Sequence, residues 1–345
     1  MPVITPSSYR PPMGFNNPHV QIFWSSLFRA VPLVDHRREM ISTSDGDELQ
    51  LDWVSRVQPG CPLSSPPGTP IRTLLILHGL ESHARLRYIS GTALAFLRNG
   101  WEVAALNFRD CGDTPNRLWQ SYHSGVSQDV ATVVAHLLRR RPDRRLGLIG
   151  YSLGGNVLLK YLGSEPDRIP AEVAAAVAIS APVDVASAVT QLSEPFNSFY
   201  NWRFLNRLRW KLRRRCERFP GMLDEGMIPH LRTFQDFDDV YTAPAHGFGS
   251  AREYWERASS LPHLERLRVP TLLINALDDP FLGPSCYPVE AAENNGNLHL
   301  ETPRHGGHIG FIQFNSLNRE YWHEVRAREF LETRLPDPNK ALLLP

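Results

Sequence analysis

An α/β domain on a mostly parallel, doubly wound sheet with one inserted helical cap is the fold class this chain predicts, and three observations predict it. From Thr73 onward, short and continuously apolar runs alternate with helical stretches, as parallel strands do when crossover helices bury both their faces. One such run, LGLI (146–149), passes through Gly150-Tyr151-Ser152-Leu153-Gly154 into the helical stretch NVLLKYLGS (156–164). A strand that turns straight into a helix crowds its backbone, so glycines at 150 and 154 remove clashing Cβ atoms and Ser152 projects from the bend. Finally, about 90 residues separate the run ending near Ala181 from the run starting at Thr271, far more than one crossover helix needs.

Taken in order, residues 1–38 are a proline-rich leader followed by the aromatic run HVQIFWSSLF, too apolar for a free tail and expected to pack on the main domain. Glu39 to Val54 alternates polar and apolar residues on both sides of Asp45-Gly46, a hairpin signal. QPGCPLSSPPGTP (58–70) reads as a surface loop, because its prolines and glycines neither join a ladder nor continue a helix. Strands follow at TLLILHG (73–79), WEVAALNF (101–108), the Ser152 run, VAAAVAIS (173–180), TLLINAL (271–277) and LHLETP (298–303), with helices over 86–99 and 126–140. The expected division is an N-terminal extension at 1–38, a core at 39–185 and 263–335, a cap at 186–262 and a tail at 336–345. Within the cap, 199–219 spells a basic amphipathic helix, with Leu205, Leu208 and Leu212 on one stripe and Arg203, Arg207 and Arg214 turned away. A cap helix with a solvated arginine face accounts for this pattern. Its alternative is contact with an anionic membrane surface or anionic substrate, which neutralising Arg213, Arg214 and Arg215 is expected to weaken.

Composition narrows the function classes. Lys and Arg number 37 against 36 Asp and Glu, a net charge of +1, so no global field is available to hold nucleic acid. The four cysteines, Cys61, Cys111, Cys216 and Cys286, show neither CxxC nor zinc-ligand spacing. They suit a reducing, cytoplasmic setting. The N-terminus has no cationic start leading into an apolar core, and no run of 18 apolar residues occurs, so a secreted or membrane-spanning form is not expected.

A serine hydroxyl needs a base to take its proton, and that base needs an acid to fix its tautomer. Asp279 follows TLLINAL within DDPFLG, on the loop at the strand's carboxyl end where open α/β sheets place their sites. His308 lies in RHGGHIGF after the next strand, with Gly306 and Gly307 letting the backbone turn the imidazole inward. Asp278 and His305 are the alternative acid and base. The loop-entrance Asp-Pro favours Asp279, and the glycine pair followed by apolar IGF favours His308. An oxyanion formed on attack needs backbone donors, expected at the Leu153 N–H beside the nucleophile and at the Leu80 N–H in HGLESH (78–83). Alternatively, His78-Gly79 is only a tight strand-end turn. Arg109 and Asp110, in NFRDCGD, are expected to order loops.

Together, RPPMGFNNPHVQIFWSSLFR, HGLESH, NFRDCGDTPNR, GYSLGGNVLLKYLG, RTFQDFDDVYTAPAHGF, INALDDPFL and GGHIGF resemble the YheT-like branch of the α/β-hydrolase superfamily, also called the alpha/beta-hydrolase 4 family. The resemblance covers nearly the whole chain and implies an α/β-hydrolase fold with its charge relay on Ser152, Asp279 and His308. Family members are similar to carboxylesterases and lipases, and some eukaryotic relatives act on acylglycerols or make fatty-acid esters. Those relatives usually begin with a membrane anchor. This chain is expected to be closer to the soluble bacterial members. The expected activity is a serine esterase acting on carboxylic esters with apolar acyl chains, through an acyl-enzyme and without metal or organic cofactor. Its alternatives are an acyltransferase passing the acyl group to an alcohol, and a non-catalytic ligand-binding protein on the same fold.

Overall fold

The computed structural model describes residues 2–56, 71–314 and 320–336. The expected loop at 58–70 and all of the expected tail beyond Pro336 lie outside the described residues. The first elements are β1 (Val3–Ile4), helix α1 (Pro18–Leu27) and the strands β2 (Val34–Ser42) and β3 (Glu48–Arg56). Next come β4 (Ile71–Leu77), α2 (Arg87–Leu97), β5 (Glu102–Asn107), α3 (Ser127–Arg140), β6 (Arg144–Tyr151), α4 (Leu153–Ser164) and β7 (Val173–Ile179). After the cap follow β8 (Thr271–Ile274), β9 (Leu298–Glu301) and a last helix, Trp322–Glu332.

The nine strands form one sheet in the order β1-β9-β8-β7-β6-β4-β5-β3-β2. Neighbours from β1 across to β5 pair in parallel, and the hairpin β2–β3 adds an antiparallel edge. This is the doubly wound, mostly parallel sheet the apolar runs predict. Strand β4 explains why those runs do not alternate. Leu75 and Leu77 join the core beneath α3 and α4, while Leu74 and Ile76 join the core beneath α2 and the last helix. Each such fully buried side chain contributes roughly 1.5–3 kcal/mol relative to exposure.

Three expectations need correction. The last two strands are shorter than their apolar runs, ending at Ile274 and Glu301 instead of 277 and 303. Past Ile274 the Asn275 side chain replaces the ladder on the β7 side, accepting from Ala181 N (2.8 Å) and donating to Ala181 O (3.1 Å), while on the β9 side the Asn275 and Leu277 N–H groups still donate to the Glu301 and Pro303 carbonyls. The division after residue 38 falls inside β2, and the N-terminal segment adds β1 to the far sheet edge beside β9.

Between β7 and β8 lie α5 (Val185–Leu192), α6 (Ser198–Arg218), several short turns and the helix Ala251–Ala258. Leu205 and Leu212 of α6 pack with Ile228, Phe234, Phe237 and Tyr241 into a separate apolar cluster. Arg203, Arg213 and Arg214 are exposed. Arg207, expected to turn away, donates to the Glu81 carbonyl at 3.1 Å. Arg215 is only 2% exposed, held by Asp110 at 3.1 Å and by Asn116 Oδ1 at 2.9 Å.

Candidate active site

Ser152 sits between the last residue of β6 and the first of α4, at φ +52° and ψ −124°, a conformation that costs a non-glycine residue about 1–3 kcal/mol. The packing around it enforces that turn. A Cβ on Gly154 would lie 2.5 Å from the His78 carbonyl oxygen and 2.7 Å from that of Leu77, so only glycine lets α4 start this close to β4. The serine hydroxyl lies 2.8 Å from His308 Nε2, and His308 Nδ1 lies 2.9 Å from Asp279 Oδ2 and 3.1 Å from Oδ1. One tautomer serves both contacts, with Nδ1–H donating to the carboxylate and Nε2 free to accept from Ser152. The Asp279 side chain is fully buried and that of His308 is 10% exposed, with the Phe281 ring 4.4 Å away.

Asp278 and His305 form a second pair beside the first. His305 Nδ1 lies 3.2 Å from Asp278 Oδ2, and the Gly307 N–H donates to Asp278 Oδ1 at 2.9 Å. Burial pushes the Asp278 carboxyl above its ordinary value. This pair braces the loop that carries His308 and does not reach Ser152 Oγ by hydrogen bond. Further braces come from residues to which the sequence reading gave no role. Ser180 Oγ accepts from the Ile309 N–H at 3.0 Å. A Cβ on Gly307, at φ +55°, would lie 2.6 Å from the Pro18 carbonyl oxygen, so α1 rests directly on the histidine loop. Tyr9 Oη lies 2.9 Å from both Gln21 Oε1 and the Ile312 carbonyl. No local pattern marks Tyr9, Gln21 or Ser180, because their partners lie more than 100 residues away or on an irregular leader.

Leu80 and Leu153, whose amides are expected to hold an oxyanion, both line the cavity that Ser152 lines. Neither N–H has an acceptor among the described residues. Their neighbours are tied off. Gly79 N–H donates to Tyr88 Oη (3.0 Å), Glu81 N–H to Tyr122 Oη (2.8 Å) and Ser152 N–H to the Ile179 carbonyl (2.8 Å). His78 is more than a turn residue. Its Nδ1 lies 2.8 Å from the Gly79 carbonyl and its Nε2 accepts the Phe108 N–H at 3.1 Å. Burial pushes this imidazole down to about 3, which keeps it neutral and keeps both contacts. Arg109 holds Asp129 through two nitrogens and reaches Asp45 at 2.6 Å, tying the β2–β3 turn to α3. Asp110 joins the loop to Arg215 of the cap.

The cavity beside Ser152 has a volume of about 130 Å³ and a mostly apolar wall, including Val189, Leu192, Phe204, Leu208 and Phe237. Its lining includes Asp238, whose Oδ2 accepts from Trp255 Nε1 at 2.7 Å. Burial pushes this carboxyl up to about 7. Among the described residues no group of three or more His, Cys, Asp or Glu side chains is placed to hold a metal ion, and no helix is long and apolar enough to cross a membrane.

Residues 72–314 match the model of a family described as the alpha/beta hydrolase fold. The chain is 31% identical over 331 residues to "Putative esterase YheT" of Escherichia coli (strain K12), spanning 95% of this chain and 94% of that protein. It is 26% identical over 313 residues to "Phospholipase ABHD3" of Homo sapiens, spanning 90% of this chain and 75% of that protein. Among solved structures, the esterase Pf2001 of Pyrococcus furiosus superposes with a TM-score of 0.57 at 18% identity, over 94% of this chain and 97% of that one. This last likeness is one of fold.

Proposed function

The chain belongs to the alpha/beta hydrolase family, and from that premise we propose that it is a serine esterase cleaving carboxylic esters with an apolar acyl chain. The carrying observation is the continuous hydrogen-bonded line from Ser152 Oγ through His308 to Asp279 at the edge of an apolar cavity. In this reading His308 Nε2 takes the Ser152 proton as the oxygen attacks the ester carbonyl. The Leu80 and Leu153 amides receive the oxyanion, and each such donor is worth about 3 kcal/mol in the transition state. Asp279 stays ionised and stabilises the imidazolium. Collapse of the tetrahedral intermediate passes the proton from His308 to the leaving alcohol and leaves an acyl group on Ser152. Water, deprotonated by His308, then releases the acid. Relatives named as an esterase and as a phospholipase support ester hydrolysis. The reading includes a reducing, cytoplasmic setting, supported by three buried free cysteines, Cys111, Cys216 and Cys286.

Covalent labelling by a fluorophosphonate probe, together with turnover of an acyl-length series of esters, tests the proposal. Wild type is expected to label and to hydrolyse the series, whereas Ser152→Ala loses the label and about 10³-fold or more of kcat. Equal labelling of the variant sinks the reading. Products formed with added ethanol separate hydrolysis from acyl transfer, and a dominant ethyl ester would replace the hydrolase with an acyltransferase using the same acyl-enzyme.

A further inference from the structure

A second cavity, of about 370 Å³, lies against the first and shares Glu81, Asp110, Lys211 and Arg215 with it. One wall is α6, which presents Arg207, Lys211, Arg214, Arg215 and Arg218 at helical spacing, and the opposite wall is the loops at 81–83 and 110–115. Three carboxylates, Glu81, Asp110 and Asp113, line it, and each is already engaged. Lys211 holds Glu81 at 3.1 Å, Arg215 holds Asp110 at 3.1 Å, and Asp113 faces Arg38 at 2.8 Å and Arg85 at 3.3 Å. Arg207, Arg214 and Arg218 have no carboxylate within 4 Å among the described residues. Arg207 and Arg218 give one hydrogen bond each to the backbone carbonyls of Glu81 and Asn116, and Arg214 lies over the Trp210 ring at 4.9 Å. Three guanidiniums with spare donors thus line one wall of a hollow that adjoins the cavity next to the proposed nucleophile. A cap helix needing only solubility has no reason to gather them on the wall of a cavity.

We propose that this cavity is an anion subsite of the active site, taking a phosphate monoester group carried by the ester substrate while the acyl chain fills the apolar cavity. Guanidinium forks match phosphate oxygens in geometry and charge, and a dianion uses more than one of them. The proposal rests on the reading of Ser152 as the nucleophile and adds a substrate class to it. The two cavities meet at the Glu81–Lys211 and Asp110–Arg215 ion pairs, and in this proposal the part of the substrate between its acyl and phosphate groups crosses them.

A matched pair of monomeric substrates tests it: hexanoyl glycerol and hexanoyl glycerol phosphate, which differ only in the phosphate. Wild type is expected to favour the phosphorylated ester by about tenfold or more in kcat/KM, mostly through KM. The double variant Arg214→Gln, Arg218→Gln brings the ratio of the two substrates close to one. Arg213→Gln, exposed and outside the cavity, leaves it unchanged. Millimolar inorganic phosphate raises KM for the phosphorylated ester alone. Equal rates for the two esters, or a ratio indifferent to the double variant, overturn the proposal. So does a preference that appears only in anionic vesicles and vanishes for monomers, because the arginines would then read a bilayer surface. Calorimetric binding of both esters to Ser152→Ala keeps the two readings apart. Tighter binding of the phosphorylated ester to this variant supports the subsite even if wild type hydrolyses neither ester and the esterase reading falls, whereas equal binding removes the subsite whatever the wild-type turnover.

Discussion

Two acid–imidazole pairs stand side by side, Asp279 with His308 and Asp278 with His305, and only the first reaches Ser152. Replacement of each acid by its amide separates their roles. Asp279→Asn presents an N–H where Nδ1–H needs an acceptor, and is expected to cut kcat by about 10⁴-fold through the wrong tautomer. Asp278→Asn keeps an oxygen for the Gly307 N–H and is expected to cost less than about tenfold. Steady-state rates on one ester decide it, and comparable losses would mean that the neighbouring pair takes part in the relay. Asp238 supports a prediction of another kind. Burial raises its carboxyl from the ordinary 3.8 to about 7, so the folded state holds the proton more tightly than the unfolded chain. Its stabilising contribution is complete below about pH 4 and is lost as pH rises through 7, on the order of 4 kcal/mol at most. Urea unfolding at pH 5 and pH 8 is expected to show the stability difference between wild type and Asp238→Asn move against wild type by about 2–3 kcal/mol at the higher pH, the buried imidazoles such as His78 acting alike in both chains. Parallel slopes would show that Asp238 titrates normally.

At the scale of elements, strand interiors were legible because a parallel strand buried on both faces is mostly apolar, as β7 is throughout and β4 is from Leu74 to Leu77. Strand ends were not. Asn275 ends the pairing of β8 with β7 through its own side chain, a device invisible to any apolar count. Helix α6 shows the same limit. Periodicity separates Leu205 and Leu212 from the arginines but does not tell which arginine meets Asp110, over 100 residues earlier in the chain. That pairing reverses the expectation for Arg215, which is a buried strut between the cap and the loop after β5 instead of a surface charge. Arg215→Gln is therefore expected to destabilise the fold by about 3 kcal/mol, since Asp110, Asn116 and the Leu118 and Trp119 carbonyls lose a buried partner together. Arg214→Gln, on an exposed side chain, is expected to change stability by no more than about 0.5 kcal/mol. Denaturant titration of both variants separates them, and equal effects would show that Arg215 is screened like its neighbour.

Across the whole molecule the N-terminal segment does more than cover the core. It adds β1 to one sheet edge, sets Pro18 against the loop that carries His308, and sends Arg29 to Glu324 of the last helix. The aromatic run made packing legible in the sequence, but its targets were not, because Glu324 and Gly307 lie about 290 residues away. Arg29 is the clearest measure of this coupling. Its Nη2 reaches Glu324 at 2.7 Å with both side chains at 3% exposure or less, and its guanidinium lies 3.9 Å from the centre of the Tyr321 ring. Arg29→Ala strands a buried carboxylate and is expected to cost about 3–5 kcal/mol, whereas Arg29→Met with Glu324→Gln removes both charges and fills the space, recovering most of that loss. The same single variant loosens α1, and through Pro18 and Gln21 the histidine loop, so kcat on a test ester is expected to fall while probe labelling of Ser152 slows. Urea unfolding of the two singles and the double gives the coupling energy directly. Additive losses would mean that the leader and the last helix are independent, and that α1 holds the histidine loop by its own apolar contacts alone.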